Sequence, residues 1–228
     1  MEPKSDVKAG FSNTGPAQAD QTLDLATMGS GAAGVVHLAN GMDAVLARTE
    51  KTIEHLLEQG NDSRALAVIQ ATLRRVESSP EHLIKAQIQK AHLIGFLGNI
   101  PVAVETFEAA LKTAKASNLV VHPVGMDLIL KQSKFLLKNG YPLSGKELLL
   151  ESLVVLDSTG LKTSQEVRMM HLLLANTYML ERNNREAEGH LYRSIVKNSF
   201  DIVSLSGNLR IAQFYQMEGN FELAERFF

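Results

Sequence analysis

Two glycine-bearing runs hold the residue types and spacings closest to known chemistry. "GYPLSGKE" sets Gly140, Gly145 and Lys146 at the spacing of a phosphate-binding loop. In such a loop backbone N–H groups cradle phosphates, a lysine reaches the terminal ones, and a final Ser or Thr ligates Mg²⁺. Glu147 occupies that final position, where a carboxylate repels phosphate, and the preceding "KFLLK" reads as helix instead of strand. "GSGAAG" (Gly29, Gly31, Gly34) resembles a dinucleotide fingerprint, which needs a strand before it, a helix after it and an acid about 20 residues on. No strand pattern precedes Gly29. The seven histidines, at 37, 55, 82, 92, 122, 171 and 190, form no H-E-x-x-H and no ligand-spaced cluster with carboxylates. The chain has no cysteine, which excludes thiolate catalysis, disulfides and Cys-ligated zinc. No catalytic residue, cofactor or metal is therefore expected. A nucleotide-dependent enzyme acting through Lys146 is the least favoured class, and nucleotide binding lost on Lys146→Ala would revive it.

Charge separates the remaining classes. The formal net charge is −2 over 228 residues, so no global basic field draws nucleic acid or anionic lipid. No apolar run approaches the roughly 20 residues a membrane helix needs. The first residues lack the apolar segment of a signal peptide and contain no Arg, unlike a mitochondrial presequence. Glu2 stands where myristoylation requires glycine. A cytoplasmic location is expected, with the nucleus also open. Residues 1–40 are rich in Gly, Ala, Ser, Asn and Gln and lack a sustained period, so a disordered N-terminal tail is expected there. Within it Leu23, Leu25 and Met28 could support a short helix.

From Asp43 the pattern changes. Apolar residues recur at helical spacing, interrupted at "EQGNDS", "ESSPEH", "FLGNIP", "NLVVHPVG", "KNGYPLSG", "DSTGLKTS", "ERNNRE", "KNSFDIV" and "MEGNFE". These nine breaks separate ten helices, and their regular spacing prompts a search for repeats. A small residue follows alternate turns: Ala65, Ala103, Gly145, Ala187 and Ala224. Four residues on lies a large apolar one: Ile69, Phe107, Leu149, Leu191 and Phe228. Three further lies a small one: Thr72, Ala110, Ser152 and Ser194. Twelve residues before the first small position lie Ile53, Ala91, Ser133, Ala175 and Ala212. Three residues after these come Leu56, Ile94, Leu136, Tyr178 and Tyr215. Antiparallel helices approach closely where small side chains face each other and large neighbours fill the gaps.

This pattern, carried by "ALAVIQATL", "AVETFEAAL" and "AEGHLYRSI", resembles the tetratricopeptide repeat (TPR). The period exceeds the usual ~34 residues, and the longer form, with "AQFYQMEGNFELAE", looks most like kinesin light chain repeats. The resemblance implies an all-α fold: a right-handed α-solenoid of antiparallel helix pairs over residues 41–228, with about five repeats. The fifth copy stops after "GNFELAERFF", so a truncated fragment or incomplete gene model is expected, frayed at Phe228. A Phe228 packed under a finished cap contradicts that expectation.

Such an array implies a concave face lined by the first helix of each pair. An extended groove of this kind suits a peptide or partner segment better than a small-molecule reaction. In register, Glu54, His92, Lys134, Asn176 and Gln213 should face the groove, with Glu50, Ile88, Leu130, Leu172 and Leu209 one turn earlier. Asn176 beside Gln213 resembles the amide ladder with which kinesin light chain repeats hold a peptide backbone. Two like-charge stripes run along helices: Glu50, Glu54 and Glu58 in the first repeat, and Lys131, Lys134 and Lys138 in the third. Each stripe costs a few tenths of a kcal/mol in repulsion; either the charges meet a ligand, or the stripes are solvated faces or form salt bridges between repeats. The expected function is a non-catalytic scaffold or adaptor for a protein or peptide partner. An RNA-binding helical repeat is the alternative, but it needs a basic groove and fits poorly with the acidic stripe. The sequence leaves the oligomeric state open.

Overall fold

A computed structural model describes the backbone of residues 25–228 and the side chains of residues 41–228, apart from 162, 198 and 228 in both cases. Phe228, and with it the expectation about the packing of the chain's last residue, lies outside the described residues. Among them are ten helices and no strand. The first helices of the pairs are α1 (Leu25–Glu58), α3 (Pro80–Phe96), α5 (Pro123–Lys138), α7 (Gln165–Leu180) and α9 (Ile202–Met217). The second helices are α2 (Asp62–Val76), α4 (Ile100–Ala116), α6 (Pro142–Asp157), α8 (Asn184–Ser194) and α10 (Phe221–Glu225). Residues 41–228 form one compact unit.

The turn inside each pair explains the recurring Gly-Asn. Gly60, Gly98, Gly140 and Gly219 have φ of +69°, +87°, +89° and +75°, the left-handed region that glycine enters without a Cβ penalty. The next residue opens the second helix. Its N–H bonds back to the carbonyl five residues earlier: Asn61 to Leu56, Asn99 to Ile94, Tyr141 to Leu136, Asn183 to Tyr178 and Asn220 to Tyr215, at 2.8–3.1 Å. Each acceptor is the large residue of the first-helix register. One hydrogen bond thus closes the first helix and fixes where the second begins. Asn99, Asn183 and Asn220 also accept a side-chain cap bond from Val102, Glu186 and Leu223.

The packing register follows the sequence pattern. Ala65, Ala103, Gly145, Ala187 and Ala224 are buried, and so are Ile69, Phe107, Leu149 and Leu191 four residues on. Facing them, Ile53, Ala91, Ser133, Ala175 and Ala212 are buried in the first helices. At Gly145 the contact is close: a Cβ there would lie 3.0 Å from Leu137 Cγ and 3.2 Å from the Ser133 carbonyl. The apolar clusters overlap from pair to pair, through α3–α4–α5, then α5–α6–α7, then α7–α8–α9–α10.

Successive first helices touch: α3 meets α5, α5 meets α7, and α7 meets α9. Successive second helices do not meet among the described residues. The array is therefore closed up on the side of the first helices and splayed on the other, so the first helices form its inner face.

Candidate peptide-binding groove

On that inner face α1, α3 and α5 enclose a groove of about 880 Å³. α3 supplies its floor with Ile88, Gln89, His92, Leu93 and Phe96. Phe96 is 73% exposed, an apolar ring left bare at the end of its helix. The Phe135 ring of α5 packs closely against Gly95 of α3. A Cβ on Gly95 would come within 2.4 Å of the Phe135 ring. The His92 ring stands edge-on to Phe107 at 5.3 Å and to Phe135 at 6.4 Å. Burial, and then the neighbouring Lys131 ammonium, push its imidazole below the ordinary pKa, against an opposing pull from Asp127.

The walls carry opposite charge. On α1 stand Glu50 and Glu54, both exposed and both lining the groove. Asp43, also on α1, is held by Lys85 of α3 at 2.9 Å. Burial alone would lower the Lys85 pKa, but hydrogen bonds to Asp43 and Glu81 outweigh it and raise it. On α5 stand Lys131, Lys134 and Lys138. Lys131 is satisfied by Asp127 at 2.7 Å on its own helix. Glu50, Glu54, Lys134 and Lys138 make no ion pair among the described residues. The floor helix separates the two walls, so they do not neutralise each other.

Six of the eight residues expected from the sequence, Glu50, Glu54, His92, Lys131, Lys134 and Lys138, thus come together in one groove. Asn176 on α7 and Gln213 on α9 are half-buried and do not line it. Gln213 accepts a hydrogen bond from Arg210 Nη1 at 3.1 Å, and no bond links it to Asn176 among the described residues. Glu58 of the acidic stripe also lies outside the groove, 3.8 Å from His55. Phe96, Phe135, Gln89 and Asp127 escaped the sequence reading. Phe96 lies four residues after His92, one turn along the same face, so the repeat register could have found it.

The glycine runs have structural explanations. Gly140 is a left-handed turn and Gly145 a packing contact. Lys146 Nζ bonds both carboxylate oxygens of Glu181, at 2.6 and 2.8 Å, and lies 5.3 Å above the Tyr178 ring. Gly29, Gly31 and Gly34 fall within α1. Away from the groove, two of the histidines meet in the core. Nδ1 of His171 and Nδ1 of His190 are 2.9 Å apart, with Tyr178 stacked on His190 at 5.5 Å.

No protein-family model matches the chain, and no curated protein matches it. Solved structures do. The nearly identical TPR-like repeats of a Podosopora anserina kinesin-light-chain-type protein are 17% identical, with a TM-score of 0.60 over 80% of this chain and 90% of that one. BtubC (BKLC) from P. vanneervenii is 16% identical, with a TM-score of 0.67 over 92% of this chain and 89% of that one. At such identities the likeness is one of fold. The helix pairing, the turn chemistry and these neighbours agree: the chain is an all-α solenoid of antiparallel helix pairs with the TPR-like repeat fold.

Proposed function

We propose that this chain is a non-catalytic scaffold, working in the cytoplasm, that holds a segment of a partner protein in the groove between α1, α3 and α5. The observation that carries the reading is the state of the groove's charges. Among the described residues, Glu50, Glu54, Lys134 and Lys138 line the groove without ionic partners, although Lys85 and Lys131 in the same groove and Lys146 outside it are all paired. Like charges stacked one turn apart repel by a few tenths of a kcal/mol, and a ligand of complementary charge turns that cost into attraction. The inner faces of stacked repeats offer a long open surface, which matches an extended segment. Neither glycine run supplies a competing reaction centre.

The test is a selection of random peptides displayed on phage against the whole chain. Selected peptides are expected to lose binding to a Phe96→Ser/Lys134→Glu variant and to keep it on Val154→Ser, a control on exposed α6. Peptides that bind both variants equally contradict the groove assignment.

A further inference from the structure

The repeat register converts the groove into a spatial order of charges. Lining the groove are Glu50 and Glu54 on α1, His92 and Phe96 on α3, and Lys134 and Lys138 on α5. Crossing from α1 to α5, the surface is acidic, then neutral and apolar, then basic. Desolvation, and then the Lys131 charge, shift the His92 imidazole at the middle step towards its neutral form. Helices packed side by side lie about 8–10 Å apart, and an extended chain in the polyproline II conformation advances about 3.1 Å per residue with every third side chain on the same face. One helix of the groove therefore corresponds to roughly three residues of a bound extended segment.

We propose that the groove selects an extended segment bearing a basic residue, an apolar residue about three positions along, and an acidic residue about three further. The basic residue lies against Glu50 and Glu54, the apolar one on Phe96 and Phe135, and the acidic one against Lys134 and Lys138. This rests on the scaffold reading above and adds the partner's chemistry to it. A ligand of one charge sign satisfies one wall and is repelled by the other, whereas the mixed segment pairs both walls at once. The groove thereby fixes the direction in which the segment lies.

The probes are fluorescein-labelled eleven-residue peptides of Gly and Ser carrying one lysine, one phenylalanine and one glutamate at three-residue spacing, made in both sequence orders. Controls carry two glutamates, two lysines, or the same three residues side by side. Fluorescence anisotropy at low salt should show the mixed peptides, each lying in the direction that its own sequence order sets, binding roughly five-fold tighter than every control. Glu50→Lys/Glu54→Lys, or Lys134→Glu/Lys138→Glu, should remove that preference. The four-residue exchange combining both pairs should restore it, with each peptide reversed in the groove. All four side chains are exposed, so circular dichroism should show each variant folded. A two-glutamate peptide binding as tightly as the mixed ones, or a four-residue exchange variant that no longer prefers the mixed peptides, overturns the proposal. Probes that bind alike and are lost only on Phe96→Ser overturn it and leave the scaffold reading standing. Failure of every probe, together with a library selection that yields no groove-dependent peptide, overturns both.

Discussion

Arg182 occupies the left-handed turn position that glycine holds in the other four helix pairs, with φ of +56°. A side chain there costs about 1–2 kcal/mol, partly offset because glycine loosens the unfolded chain. Arg182→Gly should therefore raise stability by about 0.5–1 kcal/mol, read from the urea midpoint; a lower midpoint would show that the arginine makes a contact worth more than the strain. Gly145→Val should act in the other direction. Its first carbon already meets Leu137 and the Ser133 carbonyl, so overpacking is expected to cost about 1–3 kcal/mol. The buried histidine pair sets the response to acid. One Nδ1 must donate and the other accept, so the pair cannot hold both rings protonated. Burial first, and then His190, lower the His171 pKa to about 4. Between the ordinary pKa of about 6.5 and that value the unfolded chain binds a proton that the folded chain refuses. Stability is thus full above about pH 6.5 and is lost as pH falls through about 4, by up to ~1.4 kcal/mol per pH unit. His171→Leu/His190→Phe should flatten this limb in urea titrations at pH 7, 6 and 5. An unchanged slope would assign the acid response to other groups.

At the level of the helix, the Gly-Asn pair does most of the organising, and the sequence displays it openly. Tyr141 opens α6 without a side-chain cap, so Tyr141→Asn should gain roughly 0.5–1 kcal/mol in chemical denaturation. No gain would mean that the Tyr141 ring contributes as much as a cap. The ten helices were legible because breaks recur and small–large spacing repeats. The short α8 was not. The chain leaves the helix after Ser194, and a polar knot takes over from the missing turn. Asp201 caps α9 through Val203 and Ser204, and its second oxygen accepts from Arg168 Nη1 at 3.0 Å. The Arg168 guanidinium, then the Ser199 hydroxyl, hold the Asp201 carboxyl well below the usual carboxylate range. Ser204 Oγ joins Arg168, Asp201 and the Val196 N–H. These partners come from separate elements, so no local pattern announces them.

At the level of the whole molecule, the register sets Glu54, His92 and Lys134 on one surface, and they line one groove, but it gives no reason for the groove to stop before Asn176. The reason is Gly95. It lets Phe135 settle against α3, while the equivalent positions of later first helices carry Leu137, Met179 and Gln216. A lone glycine within a helical pattern signals close packing, but only the fold reveals which ring it admits. Gly95→Ala should lift Phe135 and weaken binding of the mixed-charge peptide several-fold while leaving the helical circular dichroism intact; unaltered binding would detach the groove's shape from its function. The partner segment is proposed to rest on the inner faces of α1, α3 and α5. Hydrogen exchange of the full chain, with and without saturating mixed-charge peptide, tests this most directly. Slowed exchange concentrated in α1, α3 and α5, with α4, α6 and α8 unchanged, is the predicted result. Slowing confined to the outer helices α4, α6 and α8 would contradict it.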